Sequence, residues 1–129
     1  MHASAIHHLG LSVSKLKESA AFFTECLGWE IVKRKPHYPA IFVSSGECVI
    51  TLWQTQEDAE EFDRNNNVGL HHLALRVKSN TELKALFDRV KHYQDVSIEF
   101  SPEPLDEGPA QHFMINDPSG IRIEFICAP

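Results

Sequence analysis

Leu70 to Val77 reads Leu-His-His-Leu-Ala-Leu-Arg-Val, and Ile6 to Val13 reads Ile-His-His-Leu-Gly-Leu-Ser-Val; five of the eight positions are identical. A double histidine inside an alternating apolar run, present twice in 129 residues, marks a duplicated unit. Successive side chains of a strand point to opposite faces. In the second copy His71, Leu73, Leu75 and Val77 share one face, and His72, Ala74 and Arg76 share the other. In the first copy His7, Leu9, Leu11 and Val13 go together, leaving His8, Gly10 and Ser12 opposite. The leucine faces require a core, and His7 and His71 are expected to pack with them. The small, polar faces each carry one histidine that is free to do chemistry.

Both copies continue in the same order. Leu16, Ala20, Phe23 and Leu27 form the stripe of an amphipathic helix over Ser14 to Leu27, with Ser14 as N-cap and Gly28 as stop. Strands follow at Trp29 to Val32, Ala40 to Ser44 and Cys48 to Gln54, with Lys33 to Pro39 a basic, proline-broken loop. Gln56 to Asn67 is acidic and reads as a solvated linker. In the second copy Leu83, Leu86, Phe87 and Val90 predict a helix over Thr81 to Lys91, capped by Asn80. Strands are expected at Val96 to Phe100, His112 to Ile115 and Ile121 to Ile126, with Ser101 to Gln111 a loop and Asp117 to Gly120 a tight turn. The expected architecture is α+β: two βαβββ modules, 1–55 and 68–129, joined by linker 56–67 within one domain. Their sheets would curve into a mixed cup, with the helices outside.

Composition narrows the function. Hydrophobic content of 43% and charged content of 23% are those of an ordinary globular protein. A formal net charge of −6 argues against a nucleic-acid or anionic-membrane partner. No apolar run is long enough to span a bilayer. Met1 to Gly10 lacks the basic start and apolar stretch of a signal peptide, so a cytoplasmic location is expected. Cys26, Cys48 and Cys127, widely spaced, read as reduced packing residues.

On the last strand Ile121, Ile123 and Phe125 face one way and Arg122 and Glu124 the other. The expected cup would therefore contain His8, His72 and Glu124. Two neutral imidazoles and a carboxylate bind divalent first-row metals, and three protein ligands leave positions open for substrate.

These residues resemble the vicinal oxygen chelate superfamily. That superfamily comprises glyoxalase I, fosfomycin-resistance thiol transferases, methylmalonyl-CoA epimerase, extradiol dioxygenases and metal-free bleomycin-binding proteins. The resemblance spans essentially the whole chain. It rests on His8-Leu-Gly-Leu-Ser-Val, on Phe22-Phe23 with Leu27-Gly28-Trp29, on His72-Leu-Ala-Leu-Arg-Val and on Asp117-Pro-Ser-Gly-Ile-Arg-Ile-Glu124. It implies paired modules, often a homodimer, and one divalent ion (Zn, Ni, Mn or Fe) on His8, His72 and Glu124. Metal glyoxalases usually add a glutamate on the last strand of the first module. Here that strand reads Val49-Ile50-Thr51-Leu52, so Thr51 takes the slot. A hydroxyl is a poor ligand and no general base, which argues against glyoxalase I proper. The functions implied are a metal-dependent lyase, isomerase or thiol transferase acting on a small oxygen-chelating metabolite, or alternatively a non-haem Fe(II) extradiol-type dioxygenase. A metal-free drug-binding protein is the non-enzymatic alternative.

His112, entering the turn before Glu124, is a candidate catalytic proton carrier. Thr51, Tyr38, Arg76 and Arg122 are candidate substrate contacts. Arg76 shares a face with His72 and Arg122 shares one with Glu124, while Tyr38 would join Lys33, Arg34 and Lys35 in meeting an anionic substrate at the rim. Trp53 and Phe113 are expected to pack.

Overall fold

The computed structural model describes residues 2–129; Met1 lies outside them. The chain divides into two compact units, one up to Ala59 and one from Glu60 onward. In the first, Leu9–Val13 (β1) leads to Leu16–Ala21 (α1) and then directly to a π-helical turn, Phe22–Cys26. Glu30–Lys35 (β2), Ala40–Ser44 (β3) and Val49–Gln54 (β4) complete it. In the second, Leu73–Arg76 (β5) precedes Asn80–Val90 (α2), Ser97–Pro104 (β6), Gln111–Asn116 (β7) and Arg122–Cys127 (β8). Among the described residues the sheets are four-stranded, in the orders β1-β4-β3-β2 and β5-β8-β7-β6. The β1/β4 and β5/β8 pairs are parallel and the others antiparallel, so each sheet is mixed. The duplicated α+β architecture expected from the repeated histidine strand is present.

Each helix covers the leucine face of its own sheet, α1 against β3 and β4, α2 against β6, β7 and β8. In the first unit Val13, Phe22, Phe23, Val43 and Leu52 are fully buried. In the second, Phe113 stacks on Phe125 with ring centroids 4.9 Å apart, and Phe87 of α2 meets Phe113 edge-on at 5.2 Å. Phe113 thus packs as its apolar position predicts.

Several boundaries differ from expectation, each for a local reason. Both histidine pairs precede their strands, because ladder pairing starts only at Leu9 with Ile50 and at Leu73 with Ile123. His7 and His71 are therefore exposed and do not pack. The π-helical turn, with Leu27 N–H donating to Phe22 C=O at 3.1 Å, winds the chain more widely than an α-turn. Cys26 is buried in consequence, and Leu27, expected in the stripe, is only half-buried. Lys33 to Lys35 belong to β2, which runs past a bulge at Val32. β6 extends to Pro104 through two irregularities that accommodate the proline-containing segment expected to be a loop. Ser79, and not Asn80, caps α2: its Oγ accepts from Glu82 N–H at 3.1 Å.

The first helix is capped from a distance. Ser14 does not cap it; the Gln54 side chain at the end of β4 accepts from Leu16 N–H at 3.1 Å and donates to Ser14 C=O at 2.8 Å. No helical propensity in the local sequence signals this bond. Gln54→Ala is expected to cost about 1 kcal/mol, the usual worth of an N-cap. Urea unfolding measures it, and a stability equal to wild type would remove Gln54 from the cap.

Arg122 reaches across β7 to Glu99, with Nε 2.9 Å from Oε1 and Nη2 2.5 Å from Oε2. This planar, two-pronged pair holds the Glu99 carboxyl below the ordinary carboxylate range, the hydrogen bond from Arg122 being the largest cause. A depressed folded value stabilises fully above the unfolded value, near pH 4 to 5 for an ordinary carboxylate, and is lost as pH falls through the folded one. Glu99→Gln is expected to flatten the acid limb of the stability curve between roughly pH 6 and pH 3. Parallel acid limbs in the two proteins would contradict it.

Candidate functional site

In the second unit Ala74 pairs with Glu124 across the parallel β5/β8 ladder, and Glu124 pairs with Met114 on β7. His112, two residues before Met114, shares that face. Both His112 and Glu124 are only 8% exposed. His112 Nδ1 lies 2.5 Å from Glu124 Oε2, a buried charge-assisted hydrogen bond in which the imidazole N–H donates. Glu124 Oε1 faces His72 Nε2 at 3.4 Å. A buried carboxylate is costly unless its oxygens are engaged; His112 engages Oε2, while Oε1 faces His72 without a good hydrogen bond. The His112 ring also lies against Phe100, centroids 4.8 Å apart, and its Nε2 is 4.0 Å from Glu103 Oε1.

The two histidines of each pair touch through the same atoms. His71 Nδ1 is 2.7 Å from His72 Nδ1, and His7 Nδ1 is 2.9 Å from His8 Nδ1. Arg122 Nη1 lies 3.4 Å from His71 Nδ1. Loss of hydration, and then the Arg122 charge, lower the pKa of His71. Glu99 and Arg122 thus continue the polar chain behind His72, and Arg64 approaches Glu99 at 4.0 Å.

The first unit has the same slot with other contents. Gly10 pairs with Thr51 as Ala74 pairs with Glu124. Thr51 is 2% exposed, accepts from Trp53 Nε1 at 2.9 Å and donates to Leu9 C=O at 3.5 Å. A methyl group on Gly10 would stand 3.2 Å from Thr51 Oγ1, a tight approach that the glycine avoids. His8 is exposed ahead of β1. On the Thr51 face, cross-strand rows run from Thr51 through Phe42 to Lys33 and from Trp53 through Ala40 to Lys35. Lys35 Nζ is 5.4 Å from the Trp53 ring centroid and 5.7 Å from that of Phe42, and Lys33 Nζ is also 5.7 Å from Phe42. Tyr38, 64% exposed, meets Trp53 edge-on at 5.2 Å.

The structure therefore brings His72, Glu124 and His112 together within the second unit and places His8, Thr51 and Tyr38 in the first. Among the described residues no three His, Cys, Asp or Glu side chains form a ready metal cradle. Arg122 spends its donors on Glu99 and His71, and Arg76 is exposed at the end of β5. Glu99 and Glu103 were not legible as neighbours of the site. Glu103 falls in a segment whose prolines read as loop, and Glu99 reaches Arg122 only across an intervening strand.

This arrangement has relatives. Residues 5–125 match the family model of the Glyoxalase/Bleomycin resistance protein/Dioxygenase superfamily. The chain is 31% identical over 126 residues to a catechol-2,3-dioxygenase of Bacillus subtilis (strain 168), covering 94% of this chain but only 40% of that protein. It is 29% identical over 127 residues to a lactoylglutathione lyase of Neisseria meningitidis serogroup A, covering 92% of this chain and 87% of the other. Among solved structures, a glyoxylase/bleomycin resistance protein/dioxygenase domain from Frankia sp. EAN1pec superposes with a TM-score of 0.80 at 22% identity, over 98% of this chain and 93% of that one, a likeness of fold. Among the described residues no helix is long and apolar enough to cross a membrane. With nearly its whole length matched by the family model and the paired mixed sheets in place, the chain belongs to the Glyoxalase/Bleomycin resistance protein/Dioxygenase superfamily.

Proposed function

We propose that this protein is a divalent-metal-dependent enzyme of the glyoxalase type, a lyase, isomerase or thiol transferase, acting on a small metabolite that chelates through two oxygens. The observation that carries this reading is the facing of His72 Nε2 and Glu124 Oε1 at 3.4 Å, with the other carboxylate oxygen tied to buried His112. That spacing is longer than a good hydrogen bond. A nitrogen and an oxygen donor held side by side suit a zinc, nickel, manganese or iron ion. His8, at the duplicated position of His72, is the third ligand in this reading, and the two modules serve one domain of a homodimer. A metal bound there would polarise substrate oxygens as a Lewis acid.

The chain's own residues have distinct roles in this reading. His112 fixes the Glu124 carboxylate and, lining the same face, carries a proton to or from the substrate. Lys33 and Lys35 favour a substrate with negative charge. Thr51 has no carboxylate, and its hydroxyl is used by Trp53 and Leu9. That observation favours a second reading, Fe(II) extradiol-type ring cleavage, which needs three protein ligands and open positions. The 31% identity to a catechol-2,3-dioxygenase supports it as well.

Chelator-treated protein reloaded with each metal in turn separates these readings. Oxygen uptake with a catechol panel reports the oxygenase, and consumption of a glutathione–2-oxoaldehyde adduct reports the glyoxalase type. Turnover in one assay is expected, lost in His72→Ala and Glu124→Ala and reduced about 10- to 100-fold in His112→Asn. Protein that takes up none of these metals would contradict the enzyme reading, and stoichiometric bleomycin binding without metal would replace it with a drug-binding protein.

A further inference from the structure

We propose that Glu99, Arg122 and His71 form a positioning relay that fixes the tautomer of His72, leaving the Nε2 lone pair bare toward Glu124. A guanidinium has N–H donors and no acceptor. Arg122 Nη1, 3.4 Å from His71 Nδ1, brings positive charge and no lone pair, so an N–H on that nitrogen is disfavoured and His71 Nδ1 is an acceptor. His72 Nδ1, 2.7 Å from that same atom, is then the donor to its single lone pair and carries the proton. A neutral imidazole has one N–H, so His72 Nε2 is unprotonated. It faces Glu124 Oε1 at 3.4 Å, an acceptor opposite an acceptor, an arrangement that a shared cation resolves.

The other end of the relay is rigid. Two guanidinium nitrogens of Arg122 are bonded to the Glu99 carboxylate, which aims the remaining one at His71. Arg122 is 8% exposed, so this orientation is held by packing as well as by charge. His7 repeats the contact to His8 at 2.9 Å, with no arginine behind it in the described residues. The relay is thus a feature of the second module, and it gives His71, an exposed residue with no packing role, a reason to precede His72. Arg122 acts here through His71 and does not meet substrate. The inference rests on the proposed metal site only for its effect on metal affinity; the tautomer is a property of the metal-free chain.

Side-chain 15N–1H NMR of the full-length, metal-free protein at about pH 8, where an ordinary imidazole is neutral, reads the tautomer directly. Wild type is expected to show His72 protonated at Nδ1 and bare at Nε2. In His71→Ala, and independently in Arg122→Met, His72 is expected to shift toward the Nε2–H form, which can donate to Glu124. Arg122→Lys, which keeps a donor, is expected to restore the wild-type pattern in part. Zinc affinity by calorimetry is expected to fall about 10- to 100-fold in His71→Ala. An Nε2–H tautomer in wild type, or an unchanged tautomer in both disrupting variants, would overturn the relay. A tautomer that responds as expected in protein that binds no zinc would uphold the relay and refute the metal reading.

Discussion

Glu124 is a carboxylate buried on the face of a sheet, with one oxygen held by the buried His112 and the other facing His72 Nε2 at 3.4 Å. That constraint sets much of the second unit. β7 must present His112 diagonally to Glu124, which the antiparallel register does by pairing Glu124 with Met114 and His112 with Ile126. β5 must run parallel to β8, so that the residues entering it approach the same face; Ala74 opposite Glu124 is small enough to leave the carboxylate room. The apolar side of the same strands, Ile123, Phe125 and Phe113, supplies the packing that holds this polar arrangement in place.

The first unit shows what the same backbone does without that carboxylate. Thr51 sits in the register position of Glu124, and the space is closed by hydrogen bonds to the Trp53 indole and the Leu9 carbonyl. The remaining face is aromatic and cationic. Duplication has therefore produced two sheets with one topology and two surfaces, one built to hold a charge and one built around rings with ammonium groups over them. Sequence symmetry survives in the histidine pairs and in the leucine faces, which the fold requires. It is lost at the positions that the fold leaves free.

Much of the architecture was legible because period-two alternation and the helical stripes are local signals repeated in two modules. Counting along strands assigns His72 and Glu124 to the open faces, while for His112 it gives only a place at the start of a strand. What escaped depended on partners distant in sequence. The Gln54 cap joins the end of β4 to the start of α1. Glu99 meets Arg122 across a strand whose position the sequence does not specify. Lys33 and Lys35 looked like loop residues because Pro36 and Pro39 follow them, yet ladder pairing with β3 draws them into β2. The histidine pairs erred the other way: their apolar neighbours suggested strand, but no ladder partner extends that far.

Elemental analysis of protein purified without chelator tests most directly whether His72 and Glu124 are metal donors. The prediction is about one first-row metal ion per chain in wild type, absent from a Glu124→Ala variant whose circular dichroism is unchanged. A folded wild-type protein without metal, even after incubation with iron, zinc, nickel and manganese, would contradict the account. So would equal metal content in the two proteins.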